Sequence, residues 1–173
     1  MQRLFFSLKF SAAQQHQLLP YQRQALGLWL GAKAVDNDNL HLTLFFLGQV
    51  NTGQQQRLVG AARQIKAPAF SLTLDHLACF AKPKILYLAP SAVPPELTKL
   101  QQQVAALCEA EGFSDSHDNY QPHITLARHA VCSSKYYQTQ QPVIIKVTEF
   151  ALYCSDSSRE RLRYQPLVTF NML

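Results

Sequence analysis

The chain has 173 residues, 47% of them hydrophobic and 16% charged, with 16 Lys and Arg against 11 Asp and Glu. That length suits one domain, or two small lobes sharing a core, and the ordinary hydrophobic fraction argues against intrinsic disorder. No apolar run approaches the ~18 residues of a membrane span, and Lys9 interrupts the opening apolar stretch too soon for a secretory signal, so a cytoplasmic protein is expected. The net charge of +5 is uneven. Residues 1–74 carry seven bases (Arg3, Lys9, Arg23, Lys33, Arg57, Arg63, Lys66) and two acids (Asp36, Asp38), whereas residues 75–173 carry nine of each. Such a bias is compatible with an anionic ligand, nucleic acid included, without identifying one. The four cysteines (Cys79, Cys108, Cys132, Cys154) are widely spaced and form no C-x-x-C pair, so free thiols are expected rather than a disulfide framework.

In chain order, Arg3–Leu8 reads as an opening strand, and Ser11-x-x-Gln14 has the form of a capping box that starts a helix. Pro20 and Gly27 keep that helix short or broken. The turn cluster Asn37-Asp38-Asn39 leads into a strand over Leu40–Leu47 that stops at Gly48. Thr52-x-x-Gln55 is a second capping box, with Leu58, Ala61, Ala62 and Ile65 behind it at helical spacing as far as Pro68. Strands follow at Phe70–Leu77 and Ile85–Leu88. Pro94-Pro95-Glu96 opens the clearest helix, whose apolar stripe is Leu97, Leu100, Val104, Leu107 and Cys108, with Gly112 as its stop. The last strands are His123–Ala127, Val143–Phe150 (extending toward Cys154) and Tyr164–Phe170. This mixed order, rather than a regular β-α-β-α alternation, points to an α+β fold.

One spelling occurs twice. Leu40-His41-Leu42-Thr43-Leu44 recurs as Pro122-His123-Ile124-Thr125-Leu126, 82 residues later, each copy following a turn and heading a strand. Side chains two apart on a strand share a face, so each copy presents an imidazole beside a hydroxyl while its apolar residues point into the core. A duplicated lobe is the simplest account, and a pseudo-two-fold axis would bring two imidazoles and two hydroxyls across one cleft. An imidazole titrating near ~6.5 can serve as base or acid, so the pair suits phosphoryl chemistry on RNA-like esters with no cofactor and no metal. The two threonines could donate to phosphate oxygens and Arg128 could add a charged contact. Strict alternation puts Arg128 on the wrong face, so it reaches the cleft only if the strand ends or bulges near Ala127. Phe45 shares the parity of His41 and Thr43 and is the first candidate for a cleft wall or base-stacking surface, among aromatics that include Phe5, Phe6, Phe46 and Trp29. His117 and His129 flank His123 at spacings that match no familiar metal pattern.

With these residues in view, the sequence resembles the 2H phosphoesterases, and more closely their bacterial RNA 2′,3′-cyclic phosphodiesterase branch, also called 2′-5′ RNA ligase. The resemblance rests on Arg3-Leu4-Phe5-Phe6, on Asp38-Asn39-Leu40-His41-Leu42-Thr43-Leu44 with Phe46-Leu47-Gly48, and on Pro122-His123-Ile124-Thr125-Leu126 with Arg128. It continues through Val147–Tyr153 and Arg163-Tyr164-x-Pro166-Leu167. It implies a single domain over residues 1–173, bilobal, each lobe an antiparallel sheet with helices and the cleft between them. It implies His41 as the general acid for the O3′ leaving group and His123 as the general base on water, with Thr43, Thr125 and Arg128 on the phosphate. The implied substrate is RNA with a 2′,3′-cyclic phosphate end (tRNA halves among the candidates) or a cyclic nucleotide, the product a 2′-phosphomonoester, and the working unit a monomer. Alternatives are 2′-5′ ligation, another cyclic phosphate such as that of ADP-ribose, and non-catalytic RNA-end binding.

Overall fold

The computed structural model describes residues 1–29, 31–115, 119–132 and 138–173. The elements run β1 (Gln2–Leu8), α1 (Ala12–Gln17), α2 (Leu19–Leu28), β2 (Lys33–Ala34), β3 (Leu42–Val50), α3 (Thr52–Ala62), β4 (Phe70–Phe80), β5 (Ile85–Ala89), α4 (Pro95–Ala110), β6 (Ile124–Arg128), β7 (Gln138–Val147), β8 (Glu149–Asp156) and β9 (Arg163–Asn171). The class is α+β, as the mixed element order suggests.

The local signals act much as their chemistry dictates. Ser11 accepts the Gln14 amide while the Gln14 side chain accepts the Ser11 amide, closing the first capping box. The second box lies one residue earlier than its Thr-x-x-Gln spelling suggests, on Asn51 and Gln54, because an Asn amide oxygen caps as well as a hydroxyl. In α4 the buried stripe is Leu97, Leu100, Val104 and Cys108, and Gly112, at φ +86°, supplies the left-handed residue that ends it. One expected strand, Val143–Phe150, is in fact the meeting of β7 and β8, divided at Thr148. A continuous β-favourable run carries no mark of where the chain changes neighbours.

All pairings are antiparallel, and the order across the sheet is β7-β4-β5-β6-β3-β1-β8-β9, with β2 alongside β6. Two four-stranded halves meet at one pair of residues, Leu42 opposite Ile124. These are the middle residues of the two motifs, so the approximate dyad passes between them. The halves do not divide the sequence in two: β1, β3, β8 and β9 form one, and the intervening β4 to β7 form the other. The helices are exchanged as well. Helix α2 packs on β6 and α4 packs on β3, so each motif strand is covered by a helix that lies ahead of the other motif strand in the chain. One apolar core, including Phe6, Leu42, Leu44, Leu100, Ile124 and Leu126, runs through both halves.

Contrary to the free thiols expected, Cys79 on β4 and Cys132 beyond β6 form a disulfide, their Cα atoms 6.5 Å apart. Sequence spacing could not show this, because the sheet brings together positions 53 residues apart. Cys108 and Cys154 are free and buried. Among the described residues, no helix is long and apolar enough to cross a membrane.

Candidate active site

Both motif histidines are fixed by the same backbone device. His41 Nδ1 lies 2.7 Å from the carbonyl oxygen of Asn39, and His123 Nδ1 lies 2.7 Å from that of Gln121. A carbonyl only accepts, so each Nδ1 carries a proton, and Nε2 becomes the nitrogen turned toward chemistry. His41 Nε2 is 2.8 Å from Thr43 Oγ1. In the neutral ring the threonine hydroxyl donates to it. A cleft of about 860 Å³ is lined by His41, Thr43, His123, Thr125 and Arg128, so the five residues expected to act together do share one wall.

Arg128 reaches that wall through the bulge that its expected placement required. On β5, Tyr87 pairs with Thr125 and Leu86 with Ala127, which leaves Leu126 as an extra residue on β6. The bulge resets the alternation: Leu126 and Ala127 are both buried, and Arg128 emerges beside Thr125. The first motif strand carries the same irregularity. Ser7 pairs with Thr43 and Phe6 with Phe45, leaving Leu44 as the extra residue on β3. This overturns the reading of Phe45 as a cleft wall. Phe45 is 1% exposed in the core, while Phe46 is 50% exposed and lines the cleft. Phe46 therefore occupies, in its half, the position Arg128 holds in the other. β3 also continues past Gly48, which takes φ +75° where the register with β1 slips again, so that glycine permits the strand rather than ending it.

The surroundings of the two imidazoles differ. Phe5 and Tyr164 lie 5.0 and 4.9 Å from the His41 ring, Tyr164 edge-on. Asn39, itself buried, ties this corner together. Its amide nitrogen donates to the Leu162 carbonyl at 2.7 Å, and its amide oxygen accepts the Tyr164 amide at 3.0 Å, clamping the β8–β9 hairpin to the turn that holds His41. His123 instead meets Phe80 and Tyr87, at 5.1 and 5.6 Å, and those two rings stack at 4.1 Å. The Tyr120 hydroxyl donates to the Thr43 carbonyl at 2.8 Å, tethering the approach to the second motif to the first.

Burial pulls the His41 imidazole down to about 4. The hydrogen bond to Asn39 opposes this, and the nearby charges of His123 and Arg128 add to it. In the unliganded site His41 is thus neutral at pH 7, and an arriving phosphate would raise its affinity for a proton.

Of the seven bases in residues 1–74, Arg3 is the one that lines the cleft, whereas Arg57 pairs with Glu111 just past the end of α4. Most of the N-terminal positive charge is therefore not at the site. Among the described residues no three His, Cys, Asp or Glu side chains cluster in a way that could hold a metal ion. His129 is exposed, and His117 lies outside the described residues. Phe46, Tyr164 and Asn39 were the residues that pattern reading did not single out for the site. A usable signal existed for Phe46: if Arg128 needs a bulge, a duplicated strand carries one too.

Comparison with known proteins agrees with this geometry. The model of the 2′-5′ RNA ligase superfamily matches residues 22–158. The RNA 2′,3′-cyclic phosphodiesterase of Escherichia coli K12 is 34% identical over 169 residues, covering 96% of this chain and 94% of that protein. The enzyme of the same description from Thermotoga maritima is 28% identical over 135 residues, covering 72% and 71%. The crystal structure of E. coli LigT complexed with 3′-AMP superposes with a TM-score of 0.87 at 32% identity, covering 99% of this chain and 98% of that one. The twinned His-x-Thr strands, the cleft between them and these likenesses agree, and the chain belongs to the 2′-5′ RNA ligase superfamily.

Proposed function

We propose that this chain, working as a single two-lobed domain over residues 1–173, hydrolyses RNA 2′,3′-cyclic phosphodiester ends to 2′-phosphomonoesters. The observation that carries the reading is the pair of imidazoles with Nδ1 held by a backbone carbonyl, facing one cleft with two hydroxyls and one guanidinium. His123 Nε2 takes a proton from water as the water oxygen bonds to phosphorus. The P–O3′ bond breaks, and His41 Nε2 delivers its proton to the departing O3′. Thr43 and Thr125 donate to the non-bridging oxygens, and Arg128 balances the charge that builds on them. Phe46, backed by Phe5 at 5.8 Å, offers an exposed ring on which a terminal base can stack.

The depressed affinity of His41 for protons favours a second assignment, with His41 as the base and His123 as the acid. A phosphate held between the two rings would stabilise either imidazolium, so the acid is identified by the leaving group it serves. The RNA substrate, tRNA halves included, would be handled by one chain in the cytoplasm, since one chain supplies both histidines. The deciding experiment uses a 2′,3′-cyclic phosphate oligonucleotide and its analogue with sulfur replacing the bridging O3′. Wild type should yield a 2′-phosphate end. Sulfur leaves without needing a proton, so the analogue should rescue the variant that lacks the acid: His41→Ala in the first assignment, His123→Ala in the second. Binding without turnover by wild type would reject the hydrolase reading altogether.

A further inference from the structure

Arg128 stands in the cleft because β6 bulges at Leu126, and a bulge creates a problem of its own. Its extra residue has no partner on β5, and Leu126 is fully buried, so its carbonyl must find a donor within the protein. Two donors reach it. One is the amide of Val35, at 2.9 Å, just beyond β2. The other is Gln22 on α2, whose Nε2 lies 2.9 Å from the Leu126 oxygen and 2.8 Å from the Val35 oxygen. Gln22 is 7% exposed, one of three buried polar side chains among the described residues. Both protons of one amide group are thus spent on fixing the bulge to the strand beside it. The other half repeats the arrangement in weaker form. Gln101 on α4 sets its Nε2 3.4 Å from the carbonyl of Leu44, the bulge residue of β3.

We propose that Gln22 is a positioning residue: by capping the Leu126 carbonyl it holds the bulge that turns the Arg128 guanidinium toward the substrate phosphate. The inference rests on the reading of Arg128 as the group that holds phosphate. Without the side-chain amide, the Val35 carbonyl loses its donor and the Leu126 carbonyl keeps only the Val35 N–H that continues the β2–β6 pairing, so the bulge is held less firmly and position 128 is freer to turn from the cleft. Gln22 touches no substrate. Its effect is carried entirely by the backbone of residues 126–128.

The test is a double-mutant cycle on Gln22→Met, which keeps the length and apolar stem but has no donor, and Arg128→Ala. Two readouts are taken: kcat/KM on a cyclic-phosphate oligonucleotide, and the affinity for a 2′-nucleotide product. Gln22→Met alone should weaken both by about tenfold, the scale of one misplaced charged hydrogen bond. In the Arg128→Ala background it should change either by less than about twofold, because nothing is left to position. Equal losses in both backgrounds, or no loss in either, would overturn the proposal. Gln22→Asn keeps the donors but is too short to reach, and the same cycle read on it serves where Gln22→Met melts below the assay temperature. Gln101→Met is the companion control, and its effect should be unchanged by Arg128→Ala. If Arg128→Ala by itself leaves product affinity unaltered, the phosphate-holding role is what fails. If Arg128→Ala weakens binding but does not couple to Gln22, the positioning role alone fails.

Discussion

The two motif strands, β3 and β6, share a construction and differ in what it delivers. Each is immediately preceded by a histidine pinned through Nδ1 to the carbonyl two residues back. Each places a threonine on the cleft and bulges at the following leucine. The residue released by the bulge is then Phe46 in one half and Arg128 in the other. Duplication therefore supplies the placement of the chemistry, and a single side chain at one position per half gives the cleft its direction. The cleft has a guanidinium on one side and an exposed ring on the other, which in the proposed reading meet the charged and the flat sides of an RNA end. The imidazoles diverge likewise. His41 is enclosed by Phe5, Tyr164 and the Asn39 clamp, and His123 rests on the Phe80–Tyr87 pair.

The strongest way to break the comparison is to remove what the halves share. His41→Ala and His123→Ala should each lower kcat by about 10³-fold or more, in keeping with loss of a general acid or base, and the double variant should be little worse than either single one. Single-turnover hydrolysis of a cyclic-phosphate dinucleotide measures this, and near-wild-type turnover in either variant would end the paired-imidazole account. Next come the residues that differ. Arg128→Ala should cost about 10²-fold in kcat/KM, with Arg128→Lys recovering part of it. Phe46→Ala should raise KM about tenfold, the scale of one lost stacking contact, with kcat nearly unchanged. The same loss from both substitutions, in the same kinetic parameter, would mean that the cleft has no direction.

Asn39→Ala sharpens the contrast in enclosure. It frees the β8–β9 hairpin from the His41 turn, so activity should fall about tenfold, as expected for lost buried hydrogen bonds, while the equivalent change Gln121→Ala should be almost silent because the Gln121 side chain is exposed. Kinetics on the two variants decide it. The smallest effect is on stability. His41 takes up its proton near pH 4 in the folded state and near ~6.5 when unfolded, so between those values the unfolded chain binds more protons. Stability should therefore fall as the pH drops through that window, and His41→Gln should flatten this part of a denaturation series. An unchanged slope would show that His41 is less desolvated than its surroundings indicate.

Much of this site could be read before any coordinates. A His-x-Thr spelling repeated ahead of two strands locates the two imidazoles and two hydroxyls that line the cleft, through the two-residue period of a strand. The condition placed on Arg128, that β6 must bulge, is met at Leu126. What failed was applying strict alternation to Phe45 when the same condition held one lobe away. Bulges leave no local mark here, since Leu44 and Leu126 are ordinary strand residues and neither bulge uses a glycine. The Asn39 clamp and the Gln22 cap were illegible for another reason. Each joins segments more than 100 residues apart, and a lone amide side chain in a glutamine-rich chain gives no hint of what it will meet. The Cys79–Cys132 bond went unseen because the sheet, not the spacing, brings together positions 53 residues apart.

The placement of β8 and β9 beside β1 has a consequence for biosynthesis. During synthesis β1 is made well before β8, and one edge of that strand stays unpaired until Glu149–Asp156 has been made. During that interval β1 is an open template of Phe and Leu residues, bordered by a histidine site that lacks Tyr164. Completion of the hairpin seals the exposed edge and furnishes the last wall around His41 in one event. A product truncated before β8 would keep a bare β1 edge, the kind of surface on which strands aggregate, together with a His41 site that lacks one wall.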